Sequence, residues 1–530
     1  MNRNLVLTGF MGVGKTSVGR AVAQRLGWPF IDMDEEIEAR AGKPISRIFS
    51  EDGEPAFRAL EAALCRELGA RHRTVIATGG GALVDPDNRA ALSAASTLVC
   101  LGASASALVD RVRGGADRPL LGADDLRADI ERLLSRRRES YAAIPWQIDT
   151  TDRALADVVA EAVALTSVHT LPVAHPTGTY DIHIGSDTLR YLGGVMRSAG
   201  IAEGSRVAVV SNDVVAPLWA GTVCDALEAV GLAPVLCILP DGEAHKTPET
   251  VRALYDALLQ ADLDRHDTVL ALGGGVTGDI AGFAAATYMR GVRCVQVPTS
   301  LLAMTDASVG AKTGVDLPQG KNLVGAFKQP ELVFVDLAVL GTLPAEELRS
   351  GLAEVIKHAV IGDCALFQEL AELGAEGAPM ITPEILARSI QVKIDVVQED
   401  PLENGRRAIL NLGHTVGHAL ELLSRYALRH GEAVAIGMVA AARIAEAMGR
   451  ADAGLDDCIA DVLVAAGLPT QCPPWPVAEV WGAMRHDKKR QGKRLPWVLP
   501  VEIGRVELAD DVPEALVSDV LAGMGAHSPA

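Results

Sequence analysis

Short apolar runs alternate with amphipathic stretches from the start of the chain. NLVLTGF, VIATGGG and STLVCLG are rich in β-branched residues and end in glycine or small polar residues. Between them, TSVGRAVAQRLG, EPAFRALEAALCRELGA and LRADIERLLSRRRESYAAI repeat apolar positions every three to four residues. Uninterrupted runs suit strands buried on both faces, and the intervening period suits helices that cover them. The pattern predicts an α/β unit over residues 1–166 with a parallel sheet. VHTLPVAHPTG breaks the rhythm with prolines, a glycine and small polar residues, which predicts a linker at 167–177. Alternation resumes in RVAVVSND, APVLCILPDGE, DTVLALGGG and VRCVQVPTS, giving a second α/β region over 178–344. From Ala345 the period is helical almost throughout, so 345–530 is expected to be mostly helical. Each side of the linker is expected to own a complete core.

Composition narrows the partners. The 530 residues carry a net charge of −19, which argues against a nucleic-acid footprint, since a phosphate backbone needs clustered Lys and Arg. The eight cysteines form no CxxC pair, which fits a reducing compartment. The N-terminus enters a strand without a signal-like apolar segment. AVAIGMVAAA and similar runs fall short of the ~20 residues of a membrane span. A cytoplasmic protein with no membrane partner is expected.

GFMGVGKT follows a strand and opens a helix, as a phosphate-binding P-loop does. Its glycines, Gly12 and Gly14 among them, let backbone N–H groups turn toward phosphates. Lys15 would place a positive charge on them, and the Thr16 hydroxyl would ligate Mg²⁺. Downstream, Asp32 and Asp34 share one side of a strand end. Gly80 and Gly81 offer bare backbone, and Arg58, Arg118 and Arg137 add charge. Together these imply a small anionic acceptor for the phosphoryl group.

Through GFMGVGKTSVGR, IDMDEEIE, IFSEDGEPAFRALE, ATGGGAL and RPLL, residues 1–166 resemble shikimate kinases along their whole length. The resemblance implies a compact ATP- and Mg²⁺-dependent kinase with a lid. Asp34 would engage the acceptor hydroxyls and prepare the attacking one. Arg58, Arg137 and the Gly80–Gly81 backbone would hold the shikimate carboxylate. Arg118 would reach ATP from the lid, and Asp32 would assist the Mg²⁺ shell. Arg136 and Arg138 compete with Arg137 by proximity alone.

The second glycine triplet, in LALGGGVTGDIAGF, lacks the spacing of an ordinary dinucleotide fingerprint. Glycines at a strand end nevertheless let backbone approach a pyrophosphate at a helix N-terminus. NLGHTVGHALE puts His414 and His418 one helical turn apart, RHGEAVAIGM adds His430, and GLAEVIKHAVIG adds Glu354. Histidines with a carboxylate and an open position describe a catalytic zinc site. Spacing leaves open which of His414 and His418 ligates.

Residues 178–530 resemble 3-dehydroquinate synthase through PDGEAHKT, GGGVTGDIAGFAAATYMRGV, PTSLLA, DASVGAKTGVDLPQGKNLVGAFKQP, GLAEVIKHAVI, NLGHTVGHALE, RHGEAVAIGM and DKK. The resemblance implies zinc, with cobalt as an alternative ion, held by Glu354, His414 and His430. It implies NAD⁺ contacts from Asn212, Glu243, Lys246, Gly274, Gly275, Val276, Asp279, Thr299, Ser300, Lys321 and Thr342. Substrate phosphate and carboxylate would meet Lys312, Lys357, Lys393, Arg407, Asn411 and one of Lys488 and Lys489. Asp306 would lie near substrate and cofactor, and Glu403 and His418 would be the acid–base residues. Met304 stands where relatives often carry Gln. The implied reaction converts 3-deoxy-arabino-heptulosonate 7-phosphate to 3-dehydroquinate and phosphate, with NAD⁺ regenerated in each cycle. A homodimer through this half is also implied. The rival reading of the whole chain is a P-loop kinase of other specificity fused to a metal-dependent polyol dehydrogenase.

Overall fold

The computed structural model describes residues 3–527 except 94, 114–125, 378–380, 402–404, 426 and 489–494, with backbone alone for 486–488. It separates into two compact units. The first comprises Met1–Val168, Thr188–Ser205 and Thr222–Ala233; the second comprises His169–Asp187, Arg206–Gly221 and Pro234–Ala530.

The first unit contains strands β1 (Asn4–Gly9), β2 (Phe30–Asp32), β3 (Val75–Ala77), β4 (Ser96–Gly102) and β5 (Trp146–Asp149). They form one parallel sheet in the order β2-β3-β1-β4-β5. Leu5, Val6 and Leu7 of β1 are fully buried, as continuous apolar runs in a covered sheet should be. The register pairs Leu7 with Ala77, so the strand ends that launch the P-loop and the first glycine triplet lie side by side. Ligands gather at such carboxyl ends in open α/β sheets.

The second unit contains β6 (His169–His175), β7 (Gly178–Gly185), β8 (Arg206–Asn212), β9 (Ala233–Leu239), β10 (Thr268–Gly273), β11 (Arg293–Pro298) and β14 (Leu332–Asp336), after the ribbon β12 (Lys312–Leu317) and β13 (Gly320–Phe327). Its sheet runs β6-β7-β14-β11-β10-β8-β9. Helices Ala345–Gly362, Pro383–Glu399, His414–Leu423 and His430–Ala447 then dominate, as the sequence predicts. A second ribbon, β15 (Trp497–Glu502) and β16 (Arg505–Ala509), turns at Gly504 within this helical region.

The linker expected at 167–177 is largely strand. β6 pairs antiparallel with β7 through a Pro176–Thr177 turn. His169, Leu171 and Val173 point inward while Pro172 and Ala174 are exposed. β6 is an edge strand, where a proline lacking its N–H is tolerated. The prolines that read as a break are those of a sheet edge.

Candidate active sites

In the first unit the P-loop turns at Gly14, whose φ of 95° is left-handed and caps helix Lys15–Leu26. Lys15 Nζ donates to the carbonyls of Gly9 at 2.9 Å and Phe10 at 3.2 Å, which curls the loop around its own ammonium. Thr16 Oγ1 donates to Asp32 Oδ2 at 2.7 Å. Asp32 also caps helix Met33–Ala41 by accepting from the Asp34 amide at 3.1 Å. A hydroxyl and a carboxylate already joined at a helix N-terminus form a donor set that suits Mg²⁺ beside a nucleotide phosphate.

Burial and the adjacent Asp32 push the Asp34 carboxyl above its ordinary value, against the pull of Lys15. A cavity of about 720 Å³ is lined by Asp34 together with Arg58, Arg137 and Gly79–Gly81. Arg58 is held by the buried Glu61 at 2.8 Å. Arg137 Nη1 donates to the Gly80 carbonyl at 2.9 Å, and so does Tyr141 Oη at 2.7 Å. Arg136 is exposed and Arg138 pairs with Glu203, so Arg137 alone of the three arginines lines the cavity. A Cβ would lie 2.8 Å from Asp34 Oδ1 at Gly79, 3.4 Å from Arg137 Nη1 at Gly80 and 3.2 Å from Arg58 Nη1 at Gly81. Arg111 also lines this cavity, held by Thr150 at 2.9 and 2.7 Å, and nothing in its sequence context marked it. Arg118 lies outside the described residues.

In the second unit, Glu354 is fully buried on helix Ala345–Gly362 and ion-paired with Lys357. His430 Nε2 lies 3.5 Å and His414 Nε2 3.8 Å from Glu354 Oε1. The opposite ring nitrogens are occupied. His414 Nδ1 faces the Leu412 carbonyl at 3.1 Å, and His430 Nδ1 faces Glu421 at 3.4 Å. Metal-binding histidines are held in this way, with the outer nitrogen on a carbonyl or carboxylate and the inner one free to ligate. Glu421 closes the NLGHTVGHALE motif, and only the fold shows that it meets His430. His418 is exposed on the same helix, its ring edge-on to His414 at 5.1 Å, and ligating atoms of all three histidines lie within 4.8 Å of one another.

Two close backbone approaches set these positions. A Cβ at Gly437 would lie 1.9 Å from the Gly413 carbonyl, and one at Gly431 would lie 2.0 Å from the Ser350 carbonyl. Gly413 precedes His414, Gly431 follows His430, and Ser350 is one turn before Glu354. Burial would raise the Glu354 carboxyl, but Lys357, His430 and His414 bring it well below the usual carboxylate range. Burial lowers His430, yet Glu354 and Glu421 overcome it and push the ring up to about 10, so a cation entering here competes with a proton. The residues fit a zinc ion.

Beside them, buried Lys393 meets Asp306 Oδ1 at 2.5 Å. Burial opposes the Asp306 charge, and Lys393 more than restores it. The buried Arg407 donates to the Pro401 carbonyl at 3.0 Å and the Gly310 carbonyl at 3.2 Å. Asn411 is exposed at the end of the same turn, Arg406–Asn411, and Lys312 opens β12. At the sheet's carboxyl end, Gly274 caps helix Gly275–Thr287, which carries Val276 and Asp279. A Cβ on Gly274 would meet Ser300 Oγ at 3.6 Å, and Thr299 follows β11 beside it. Buried Lys246 bridges Asp279 at 2.5 Å and Asn322 at 2.6 Å. Lys321 pairs with Glu243 at 3.0 Å. Asn212 Nδ2 donates to Asp241 at 2.5 Å, and Thr342 accepts from Trp219 at 3.0 Å. Asn322 and Asp241 complete these contacts and were not singled out, because only folding brings them near. Burial pushes Asp279 up to about 6 despite Lys246. Glu403 and Lys489 lie outside the described residues, as does the side chain of Lys488.

Comparison with known proteins separates the same two halves. The shikimate kinase family model matches residues 11–167. The models for the N-terminal and C-terminal domains of 3-dehydroquinate synthase match residues 236–350 and 351–490. A Synechocystis 3-dehydroquinate synthase is 45% identical over 361 residues, covering 66% of this chain and 99% of its own. The chain belongs to the 3-dehydroquinate synthase family. Ahead of the synthase it carries a shikimate kinase domain, so the two activities are fused. A Synechococcus 3-dehydroquinate synthase is 44% identical over 358 residues, covering 66% of this chain and 97% of its own. Among solved structures, 2-epi-5-epi-valiolone synthase from Streptomyces hygroscopicus, with NAD⁺ and Zn²⁺ bound, is 30% identical at a TM-score of 0.60. It covers 66% of this chain and 98% of its own. A kinase fused to a polyol dehydrogenase is thereby set aside.

Proposed function

We propose that the kinase cavity phosphorylates shikimate with Asp34 as the base, and that the synthase site closes 3-deoxy-arabino-heptulosonate 7-phosphate to 3-dehydroquinate through the Glu354, His414 and His430 cluster. On the kinase side the reading is carried by one arrangement: a carboxylate of raised pKa facing two arginines across bare glycine backbone. Arg58, Arg137 and the Gly80–Gly81 amides take the acceptor carboxylate. That leaves the ring hydroxyls toward Asp34, which receives the proton of the attacking one. Lys15 neutralises the transferring phosphoryl group, and Thr16 with Asp32 holds Mg²⁺. Phosphoryl transfer needs this positioning and charge more than covalent help. Asp34→Asn should lower kinase kcat by about 10²- to 10³-fold, in line with loss of a general base, with little change in KM for ATP. A fall of less than fivefold would remove Asp34 from that role.

On the synthase side the reading rests on Glu354 and two oriented histidines beside a row of buried cations. NAD⁺, when bound, supplies reversible hydride acceptance and zinc polarises hydroxyl oxygen. Gly274, Gly275 and Val276 would present backbone to the pyrophosphate, with Asn212, Glu243, Lys246, Asp279, Thr299, Ser300, Lys321 and Thr342 around the remainder. Lys312, Lys357, Lys393, Arg407, Asn411 and Lys488 or Lys489 would orient the substrate phosphate and carboxylate, with Asp306 setting the Lys393 ammonium. Exposed His418 can move a proton between substrate and solvent, with Glu403 as its partner in acid–base work. His418→Ala should therefore keep bound zinc but lower synthase kcat by about 10²-fold. Loss of the metal in that variant would make His418 a ligand instead.

The purified chain, given each substrate separately, should release ADP with shikimate and ATP. It should release inorganic phosphate with the heptulosonate phosphate and no accumulating NADH. NADH accumulation would indicate a dehydrogenase. Cytoplasmic operation fits the eight unpaired cysteines. Among the described residues no helix is long and apolar enough to cross a membrane. Exposed Leu323, Val324 and Phe327 on β13 fit a homodimer through the synthase half, which sedimentation tests.

A further inference from the structure

From the packing within the first unit, we infer that Thr188–Ser205, a segment beyond the residues that match the kinase family, is a positioning element for the kinase acceptor site. It acts on helix Leu126–Ala142, which carries Arg137 and Tyr141. This rests on the assignment of Arg137 to the acceptor carboxylate.

The path is continuous. Leu192, Val195 and Met196 of helix Leu192–Ser198 are fully buried. Gly194 of that helix lies on the loop between the acceptor helix and β5, where a Cβ would sit 2.7 Å from the Pro145 carbonyl and 3.6 Å from Gln147 Cγ. Gln147 Nε2 in turn donates to the Tyr141 carbonyl at 2.8 Å and the Ile144 carbonyl at 2.6 Å, which closes the C-terminal end of the acceptor helix. One turn back, Tyr141 and Arg137 both donate to Gly80. On its outer face the same helix meets the segment again. Arg138 pairs with Glu203 at 2.6 Å, and the largely buried Arg197 faces Glu139 at 3.7 Å and Glu203 at 3.8 Å. Tyr191 stacks edge-on against Trp146 of β5 at 5.5 Å and hydrogen-bonds Glu161, which Arg153 also holds. β5 is the edge of the kinase sheet, so this segment covers what would otherwise be an open flank. An arginine that must meet a carboxylate in a forked geometry is sensitive to small displacements of its helix.

The test uses the full-length chain. Gly194→Ala forces the segment off Pro145, and KM for shikimate should rise about three- to tenfold, with KM for ATP and both synthase constants unchanged. Glu203→Arg sets three arginines together and should raise the same KM about twofold, the modest scale of exposed ion pairs. The exchange Arg138→Glu with Glu203→Arg should restore it in part, since Arg197 still loses its Glu203 partner. A KM for shikimate that moves while KM for ATP and both synthase constants do not is the readout a purely structural contribution would not give. Arg137→Met tests the underlying assignment and should raise KM for shikimate more than any of these. If Arg137→Met leaves that KM unchanged, the carboxylate assignment fails. If Arg137→Met raises it while Gly194→Ala and Glu203→Arg do not, the assignment stands and the positioning role is overturned. Parallel loss of synthase activity in the Gly194 and Glu203 variants would also overturn it, because a general loss of structure would then account for the effect.

Discussion

Lys15→Ala should silence the kinase and leave the synthase at its full rate. The Lys15 ammonium is the one charge the loop's own sequence places inside its turn, held by the carbonyls of Gly9 and Phe10. A nucleotide phosphate would draw it from those carbonyls at little cost, since one set of charge-assisted hydrogen bonds replaces another. Alanine takes the one cation fixed in the loop away from the charge developing on the transferring group, which Mg²⁺ and backbone N–H groups do not replace, and a fall of about 10³-fold or more in kcat is expected. The synthase rate in the same sample is the control for folding. Kinase turnover within tenfold of the parent would mean that another cation serves the phosphates and that the P-loop assignment is wrong.

His430→Ala should remove zinc and synthase activity together. The His430 ring lies between Glu421, which orients it, and Glu354, which it shares with His414. Removing it leaves two protein ligands, Glu354 and His414, with Lys357 still paired to the Glu354 carboxylate. Elemental analysis should show zinc falling from about one ion per chain to less than about a tenth, with synthase turnover falling in proportion. Shikimate phosphorylation should be unchanged. Full zinc occupancy in a folded variant would exclude His430 from the ligand set.

Much of this was legible because the chemistry sits in short segments. Gly9–Thr16, Asp32 with Asp34, and His414 with His418 place their groups by local geometry, which a strand end or one helical turn fixes. What the sequence withheld depends on distant partners. Glu421 matters only because a bend in the chain returns it to His430, and Arg111 only because its helix lines the same cavity as Asp34. The stretch 167–177 was misread because Pro172 and Pro176 signal a break locally, while the inward alternation of His169, Leu171 and Val173 needs β7 to give it meaning. The association of Thr188–Ser205 with the first unit was invisible for the same reason: Gly194 looks like a weak helix position until Pro145 is beneath it. Spacing does not rank His414 and His418; in the fold His414 Nε2 lies 3.8 Å from the buried Glu354 carboxylate, while His418 is exposed.

Stabilisation by design has a specific blind spot in this protein. Replacing helical glycines with alanine usually helps, by about 0.5–1 kcal/mol, because the unfolded chain loses freedom. Gly431 and Gly437 would be natural choices in such a scan, lying as they do in a long, well-buried helix. Yet each stands where a neighbouring backbone leaves no room for a methyl group, and each is close to a residue of the proposed metal cluster. A thermostability screen that scored melting temperature alone would discard these variants as failures of packing. A screen that also scored metal content would read them as a ruler, since the distance between two helices at those glycines sets how far His414 and His430 stand from Glu354.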